Sequence, residues 1–328
     1  MVAVSVVVCT RDRPRQLGRM LQSAAALSVP AGLDWEMLIV DNGSPGQTAA
    51  VVESFAGVLP IRRVAEPVPG ISRARNRGSD EARGRYICWT DDDVLLDPHW
   101  LAAYLEAFRR HPDATLFGGT IRPELVEPTP DWCRRGRHQW PLSAMFVERD
   151  PGADRPILLH DQTPWGANFA VRADEQRRLR YDVALGVAPG RSRTGEECDL
   201  IYRLLKGGAI GWWVAGAMVR HIIEPERQRR GFLLRYFRQA GETAAYLNEH
   251  FPGDNKDEAR GAAGFARMSD AELRLRIAAH RLCGNALWAG GLRCSSLRFL
   301  AARALYGGVL SHRRRRGAAT PGLLEEQP

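Results

Sequence analysis

Over the first 110 residues, short apolar runs alternate with amphipathic helical stretches, and this alternation constrains the fold more than any other feature of the chain. Val4–Cys9 is an almost continuous valine run. A half-buried strand would alternate apolar with polar residues, so a continuous run fits a strand covered on both faces. Pro14 then opens a helical pattern through Leu17, Met20, Leu21 and Ala24, with Asp12 as its expected cap. Trp35–Val40 is a second buried strand, stopped by Asp41-Asn-Gly-Ser44. A helix over Thr48–Phe55, a strand over Ile61–Val64 and a helix around Ser72–Ala82 follow, then a strand over Tyr86–Thr90 and a helix over His99–Arg110. Strand–helix repetition of this kind predicts an α/β, Rossmann-like domain, with a mostly parallel sheet and helices on both faces.

Beyond the repeat the pattern changes. Residues 122–165 hold seven prolines together with Trp132, Trp140 and Trp165. So long a stretch without a regular pattern reads as a binding loop or lid. A strand over Asn168–Arg172, a helix over Glu196–Lys206 and a strand through Trp212–Met218 complete the first domain, expected to span 1–225. Three Arg-interleaved helices near 230–250, 269–288 and 294–310 form a C-terminal region over 226–328, with a disordered tail expected from about residue 312.

No stretch approaches 18 apolar residues, which excludes a standard membrane-spanning helix. The six cysteines form no CxxC pair, and the N-terminus has no basic n-region before its apolar run. Both features predict reduced thiols and a cytoplasmic chain. The net charge of +8 lies beyond Pro225, where 18 Lys and Arg face 10 Asp and Glu; residues 1–224 hold 28 of each sign. A neutral first domain has nothing to track a nucleic-acid backbone. The basic end suits an anionic membrane surface, or simply reflects an arginine-rich coding bias, since only Lys206 and Lys256 are lysines.

Ligands of a parallel α/β sheet bind beyond the carboxyl ends of its strands. The residues there are Thr10-Arg11-Asp12, Asp41-Asn42, Glu66 and Asp91-Asp92-Asp93. Three adjacent carboxylates repel one another, and a turn needs only one, so the cluster suits Mg2+ or Mn2+. No GxGxxG or P-loop follows the first strand, which argues against dinucleotide and P-loop enzymes. A lysine-dependent phosphohydrolase is disfavoured, because neither lysine lies near the aspartates.

The ordered motifs VSVVVCTRDRP, LIVDNGS, GISRARNRG, ICWTDDDVLLDPHW, WGANFAVR and GEECDLIYRLLKGG resemble those of bacterial family 2 glycosyltransferases of the GT-A fold. The resemblance spans about residues 3–225. It implies that Thr10 and Arg11 line a nucleotide pocket and that Asp41 hydrogen-bonds the base, where the residues alone also allow a simple Asp turn. It further implies that Arg75 and Asn76 contact base or phosphates, and that Asn168 faces the donor sugar or the acceptor. The family's D-x-D falls on Thr90-Asp91-Asp92, with Thr in the first place. Asp92 is then the expected metal ligand, Asp93 a second, His221 a third, and Asp91 a partner of ribose or metal-bound water. Glu197 matches the catalytic base, although Thr194-Gly-Glu-Glu197 also fits a capping box. The expected activity is a Mn2+- or Mg2+-dependent, inverting sugar transfer from a nucleoside-diphosphate sugar to a hydroxyl acceptor in glycan, glycolipid or metabolite synthesis. Segment 122–165 is expected to form part of the acceptor groove, and the chain to lie peripherally at the inner face of a membrane. The rival is a non-catalytic nucleotide-sugar or anionic-membrane-binding module, favoured if the acidic pair is only a cap.

Overall fold

The computed structural model describes residues 2–44, 46–159, 163–250 and 268–318. The chain divides into two compact units, Met1–Val126 with Phe146–Ile223, and Glu127–Met145 with Glu224–Pro328.

The first unit begins as the sequence predicts, with β1 (Val4–Thr10), α1 (Pro14–Ala25), β2 (Trp35–Asp41), α2 (Gln47–Glu53), β3 (Ile61–Ala65), α3 (Ile71–Glu81) and β4 (Tyr86–Asp91). It continues through β5 (Val94–Leu96), α4 (Trp100–Arg110) and β6 (Leu116–Leu125). Two short helices, α5 (Asp131–Gly136) and α6 (Leu142–Met145), belong to the second unit. The first unit resumes with β7 (Arg155–Ile157), β8 (Asn168–Arg172), α7 (Ala173–Arg178), β9 (Val187–Ala188), β10 (Arg191–Ser192), α8 (Glu196–Lys206) and β11 (Gly211–Ile223).

The main sheet runs β3-β2-β1-β4-β8-β6-β11-β5, with β7 also on β11. Strands β1 to β4 are mutually parallel, as their helical crossovers require. The sheet becomes mixed at β8, which is antiparallel to both β4 and β6. No crossover helix of the first unit connects β6 to β8, so nothing returns the chain to the parallel direction. Helices cover both faces. Leu17, Met20 and Leu21 of α1 and Trp100 and Tyr104 of α4 pack with Val4, Val6, Val8, Met37 and Ile39 on one side. Ala74 of α3 and Leu200, Ile201 and Leu204 of α8 pack with Val7, Leu38, Val40 and Trp89 on the other. A Cβ on Gly78 would come within 2.8 Å of Val7 Cγ1, so glycine sets how closely α3 lies on β1. The cap of α1 is Arg13 rather than Asp12, and no side chain caps it.

The second unit holds α9 (Arg230–His250), α10 (Asp270–Ala289) and α11 (Arg293–Ala318). Helices α9 and α11 meet at glycines: a Cβ on Gly241 would strike the Leu305 carbonyl, and one on Gly308 the Arg238 carbonyl. Residues 127–145 pack inside this unit. Trp132 lies edge-on to Trp288 at 5.6 Å, Trp140 edge-on to Phe237 at 5.7 Å, and the Tyr236 hydroxyl donates to the Ala144 carbonyl at 3.0 Å. Of the tryptophans in this segment, Trp132 is buried in the helical unit, whereas Trp140 keeps 43% of its surface exposed. The tail expected to be disordered from about 312 is helical to Ala318, and residues 319–328 lie outside the described residues. No helix among the described residues is long and apolar enough to cross a membrane.

Candidate active site

Parallel register brings the ends of β1, β2 and β4 level, pairing Thr10 with Asp41 and Cys9 with Asp91. Asp92 and Asp93 occupy the turn into β5. Thr10 Oγ1 donates to Asp92 Oδ2 at 2.7 Å. Arg13 Nη1 lies 3.1 Å from Asp92 Oδ1 and 3.3 Å from Asp93 Oδ2. Arg11, expected in the pocket, instead reaches Asp12 at 3.6 Å. Asp12 has a φ of 54°, and it is the next residue, Arg13, that meets the acidic cluster. Sequence reasoning missed Arg13. The available signal was Pro14, which holds the preceding residue out of the helix and at the strand end.

His221 is brought to this cluster by β5, which pairs antiparallel with β11 through Val94 and His221, while Ile222 N–H donates to the Asp93 carbonyl at 2.9 Å. The ring's Nδ1 lies 2.9 Å from the Phe146 carbonyl, which can only accept, so Nδ1 carries the proton. Nε2 lies 3.5 Å from Asp93 Oδ1. In the neutral ring two acceptors face each other there, an arrangement that a proton or a cation between them resolves.

Three expected binding residues have their polar atoms engaged inside the protein. Asn168 is fully buried. Its Nδ2 donates to the Thr120 and Ala217 carbonyls at 2.9 and 2.7 Å, and its Oδ1 accepts from Trp100 Nε1 and the Tyr104 hydroxyl, both at 2.8 Å. It therefore does not face a sugar. It ties β6 to the irregular turn of β11 between Val214 and Met218 that precedes His221. Asn76 spends both ends of its amide on the Tyr181 backbone, at 3.0 and 2.9 Å, instead of reaching a base or phosphate. Asp41 closes a turn by accepting from Ser44 N–H at 3.0 Å and pairs with Arg63 at 3.0 Å. Asn42, the next residue of that strand end, holds the following loop by donating to the Glu66 and Val68 carbonyls and accepting from Gly70 N–H.

A second acidic cluster surrounds Arg75. Its guanidinium, buried beside the Tyr181 ring, lies 3.6 Å from Asp91, 3.7 Å from Glu196 and 4.0 Å from Glu197. Its Nη1 is buried without a hydrogen-bond partner. A side chain on Gly166 would collide with this guanidinium, and Gly166 N–H donates to Glu197 Oε1 at 3.4 Å. The N-cap of α8 is Gly195, with a φ of 86° and no side-chain cap bond. The N-cap position thus falls on Gly195 rather than Thr194, and both acidic residues of the pair face Arg75.

The site holds more negative charge than its two arginines balance. Burial pushes Asp92 up to about 7, with Asp93 and Asp91 adding to the effect and Arg13 opposing it. Burial likewise raises Asp91. Burial together with Glu197 pushes Glu196 up to about 8 against the pull of Arg75. Among the described residues no group of three or more His, Cys, Asp or Glu side chains is gathered closely enough to hold a metal ion as it stands. The carboxylates of Asp92 and Asp93 supply the oxygen donors that Mn2+ or Mg2+ prefers.

The family model described as Glycosyl transferase family 2 matches residues 5–172, which include Thr10, Asp41, Arg75 and Asp91–Asp93. The chain is a family 2 glycosyltransferase. This glycosyltransferase is 32% identical over 204 residues to the succinoglycan biosynthesis protein ExoM of Rhizobium meliloti, a match covering 60% of the chain and 61% of that protein. It is 27% identical over 136 residues to the dodecaprenyl-phosphate galacturonate synthase of Rhizobium johnstonii, covering 40% of each. Less than two thirds of either relative's length is thus matched. Among solved structures, the mannosyltransferase PcManGT of Pyrobaculum calidifontis, in complex with GDP-Man and Mn2+, superposes with a TM-score of 0.60 over 93% of this chain and 86% of its own, at 16% identity. Residues 1–349 of S. aureus TarS superpose at 0.50 over 96% and 92%, at 17% identity. These likenesses show the fold, which is GT-A.

Proposed function

We propose that this glycosyltransferase moves a sugar, with inversion at the anomeric carbon, from a nucleoside-diphosphate donor to a hydroxyl acceptor. The observation that carries this reading is the meeting of two acidic clusters at Arg75, one at the ends of β1 and β4 and the other at the start of α8. Asp92, Asp93 and His221 would hold Mn2+ or Mg2+, which when bound offsets the charge of the departing nucleoside diphosphate. Thr10 and Arg13 fix the Asp92 carboxylate by hydrogen bonds to both of its oxygens. Asp41 retains a lone pair on each oxygen beyond its present bonds, enough to accept from a base N–H beside Thr10 and Arg11. Asp91 is placed for the ribose or a metal-bound water. Arg75, between the two clusters, would offset negative charge beside the donor phosphates. Glu197, less deeply buried than Glu196, takes the proton of the attacking hydroxyl. Glu196 keeps its proton up to about pH 8 and is the poorer base of the two.

The likeness to two rhizobial relatives, named for succinoglycan biosynthesis and dodecaprenyl-phosphate galacturonate synthesis, supports a glycan or lipid-linked acceptor. Such acceptors fit an enzyme lying peripherally on the cytoplasmic face of a membrane.

The test is a thermal-shift series of nucleoside diphosphates with and without Mn2+. A ligand at 100 times its Kd adds about 2.7 kcal/mol, or roughly 5–10 °C. The shift is expected only with Mn2+, more strongly at pH 8 than at pH 6, because the cation must displace a proton from Asp92 below about 7. Asp92→Asn should abolish it. An equal shift in excess chelator refutes the metal-dependent reading.

A further inference from the structure

The four consecutive arginines Arg313–Arg316 look like the natural membrane contact, but three of them are already paired. Arg313 meets Asp270 at 2.6 Å, Arg315 meets Glu242 at 2.7 Å and Arg316 meets Glu249 at 3.0 Å. The run fastens α11 to α9 and α10. Among the described residues, the arginines of this unit without a carboxylate partner include Arg274, Arg281 and Arg293, all exposed.

Helix α10 is apolar on two opposite sides. Leu273 is fully buried on its inner side with Ile277 in a cluster that includes Tyr306, Val309 and Leu310. A Cβ on Gly284 would lie 3.1 Å from Leu300, so that side is closely packed. The outer side carries Leu275 and Leu282, which are 72% and 73% exposed. Seven residues apart, these leucines stand one above the other, and Ala271, Ala278 and Ala286 continue the stripe at helical spacing. Arg274 and Arg281, also seven apart, run along one edge of it. The two acidic residues of α10 offer no open charge, because Asp270 is held by Arg313 and Glu272 by Arg276.

An apolar stripe edged by unpaired arginines matches the layering of an anionic bilayer surface, acyl chains beside headgroup phosphates. A second copy of the chain is a poorer match. It would bring the same arginines into a shared interface with no open carboxylate on this face, among the described residues, to receive them. We propose that the Leu275–Leu282 face of α10 is the surface by which this protein rests on an anionic membrane, an inference that builds on the peripheral-membrane reading above.

The experiment is flotation of the full chain with phosphatidylglycerol-containing vesicles and with pure phosphatidylcholine vesicles. Light scattering and a melting curve accompany each variant. The intact chain is expected to float with the anionic vesicles, and added salt to weaken it. Leu275→Asp with Leu282→Asp should reduce binding by about tenfold or more, since two leucines leave the apolar phase. Arg274→Gln with Arg281→Gln should reduce it by about tenfold, and only on anionic vesicles. Val58→Asp, at an exposed residue of the first unit, should change nothing. All variants should keep their melting temperature. If the intact chain floats with neither vesicle, both the membrane reading and this surface are overturned. If it floats and the double aspartate variant floats equally, only the surface is overturned. If the intact chain is a dimer that the aspartates dissociate while flotation persists, a second copy covers the face and the proposal is wrong.

Discussion

Glu197→Gln exchanges one oxygen for nitrogen and keeps the side chain's length, and Gly195 rather than this residue caps α8. The exchange should leave folding intact and lower kcat by about 10²–10⁴-fold, because the amide accepts no proton from the acceptor hydroxyl. Glu196→Gln should cost less, since Glu196 is already neutral at pH 7; equal losses at the two positions would put the base elsewhere. Glu196 also makes stability depend on pH. Its carboxyl titrates near 4.5 when exposed and near 8 when folded, so the folded chain binds the extra proton. The resulting stabilisation is complete below about 4.5 and is lost as pH rises through 8. Glu196→Gln should therefore melt with the parent near pH 5 and above it near pH 9, and parallel melting curves across that range would contradict the assignment. The gathering of Thr10 and Asp91–Asp93 was legible because strand ends follow from the valine runs. Arg13 was not, because the backbone at Asp12 decides which neighbouring arginine meets the aspartates. Asn168 and Asn76 were misread, since motif order does not tell an inward-turned amide from one open to ligand.

Strands β1, β2 and β4 were readable from largely apolar runs, but pairing direction is not a local property, and the antiparallel insertion of β8 had no signal in its own five residues. The irregular turn of β11 is equally non-local: it depends on carbonyls that Asn168 holds from another strand. Asn168→Leu would orphan Trp100 Nε1, the Tyr104 hydroxyl and two buried carbonyls. At about 1–3 kcal/mol for each group left unpaired, the loss should reach at least about 4 kcal/mol. For a unit of this size that lowers Tm by roughly 10 °C, measurable by circular dichroism. A loss of binding with Tm unchanged would instead return Asn168 to the ligand pocket. Helix α8 was legible in extent but not in its cap, because a left-handed glycine displaced the Thr194 that the sequence pattern favoured.

The whole chain is organised as a transferase unit and a helical unit that exchange a segment, since residues 127–145 leave the first and pack within the second. The Pro/Trp-rich composition of 122–165 flagged an unusual stretch, yet its destination depends on Trp288 and Phe237, more than 90 residues away. A chain ended at Ile223 should aggregate, because Trp132, Leu142 and Met145, all buried, lose the helices they belong with. A chain ended there with 127–145 also replaced by a short Gly/Ser link should stay soluble and keep its nucleotide-induced thermal shift. Solubility of the first truncation, read by size exclusion, would contradict this account.

The same loan restricts how such proteins exchange parts over generations. A single recombination near Glu224 would transmit a helical bundle without the buried Trp132, Leu142 and Met145 that residues 127–145 bring to it. Only a double event carrying both stretches would deliver an intact unit.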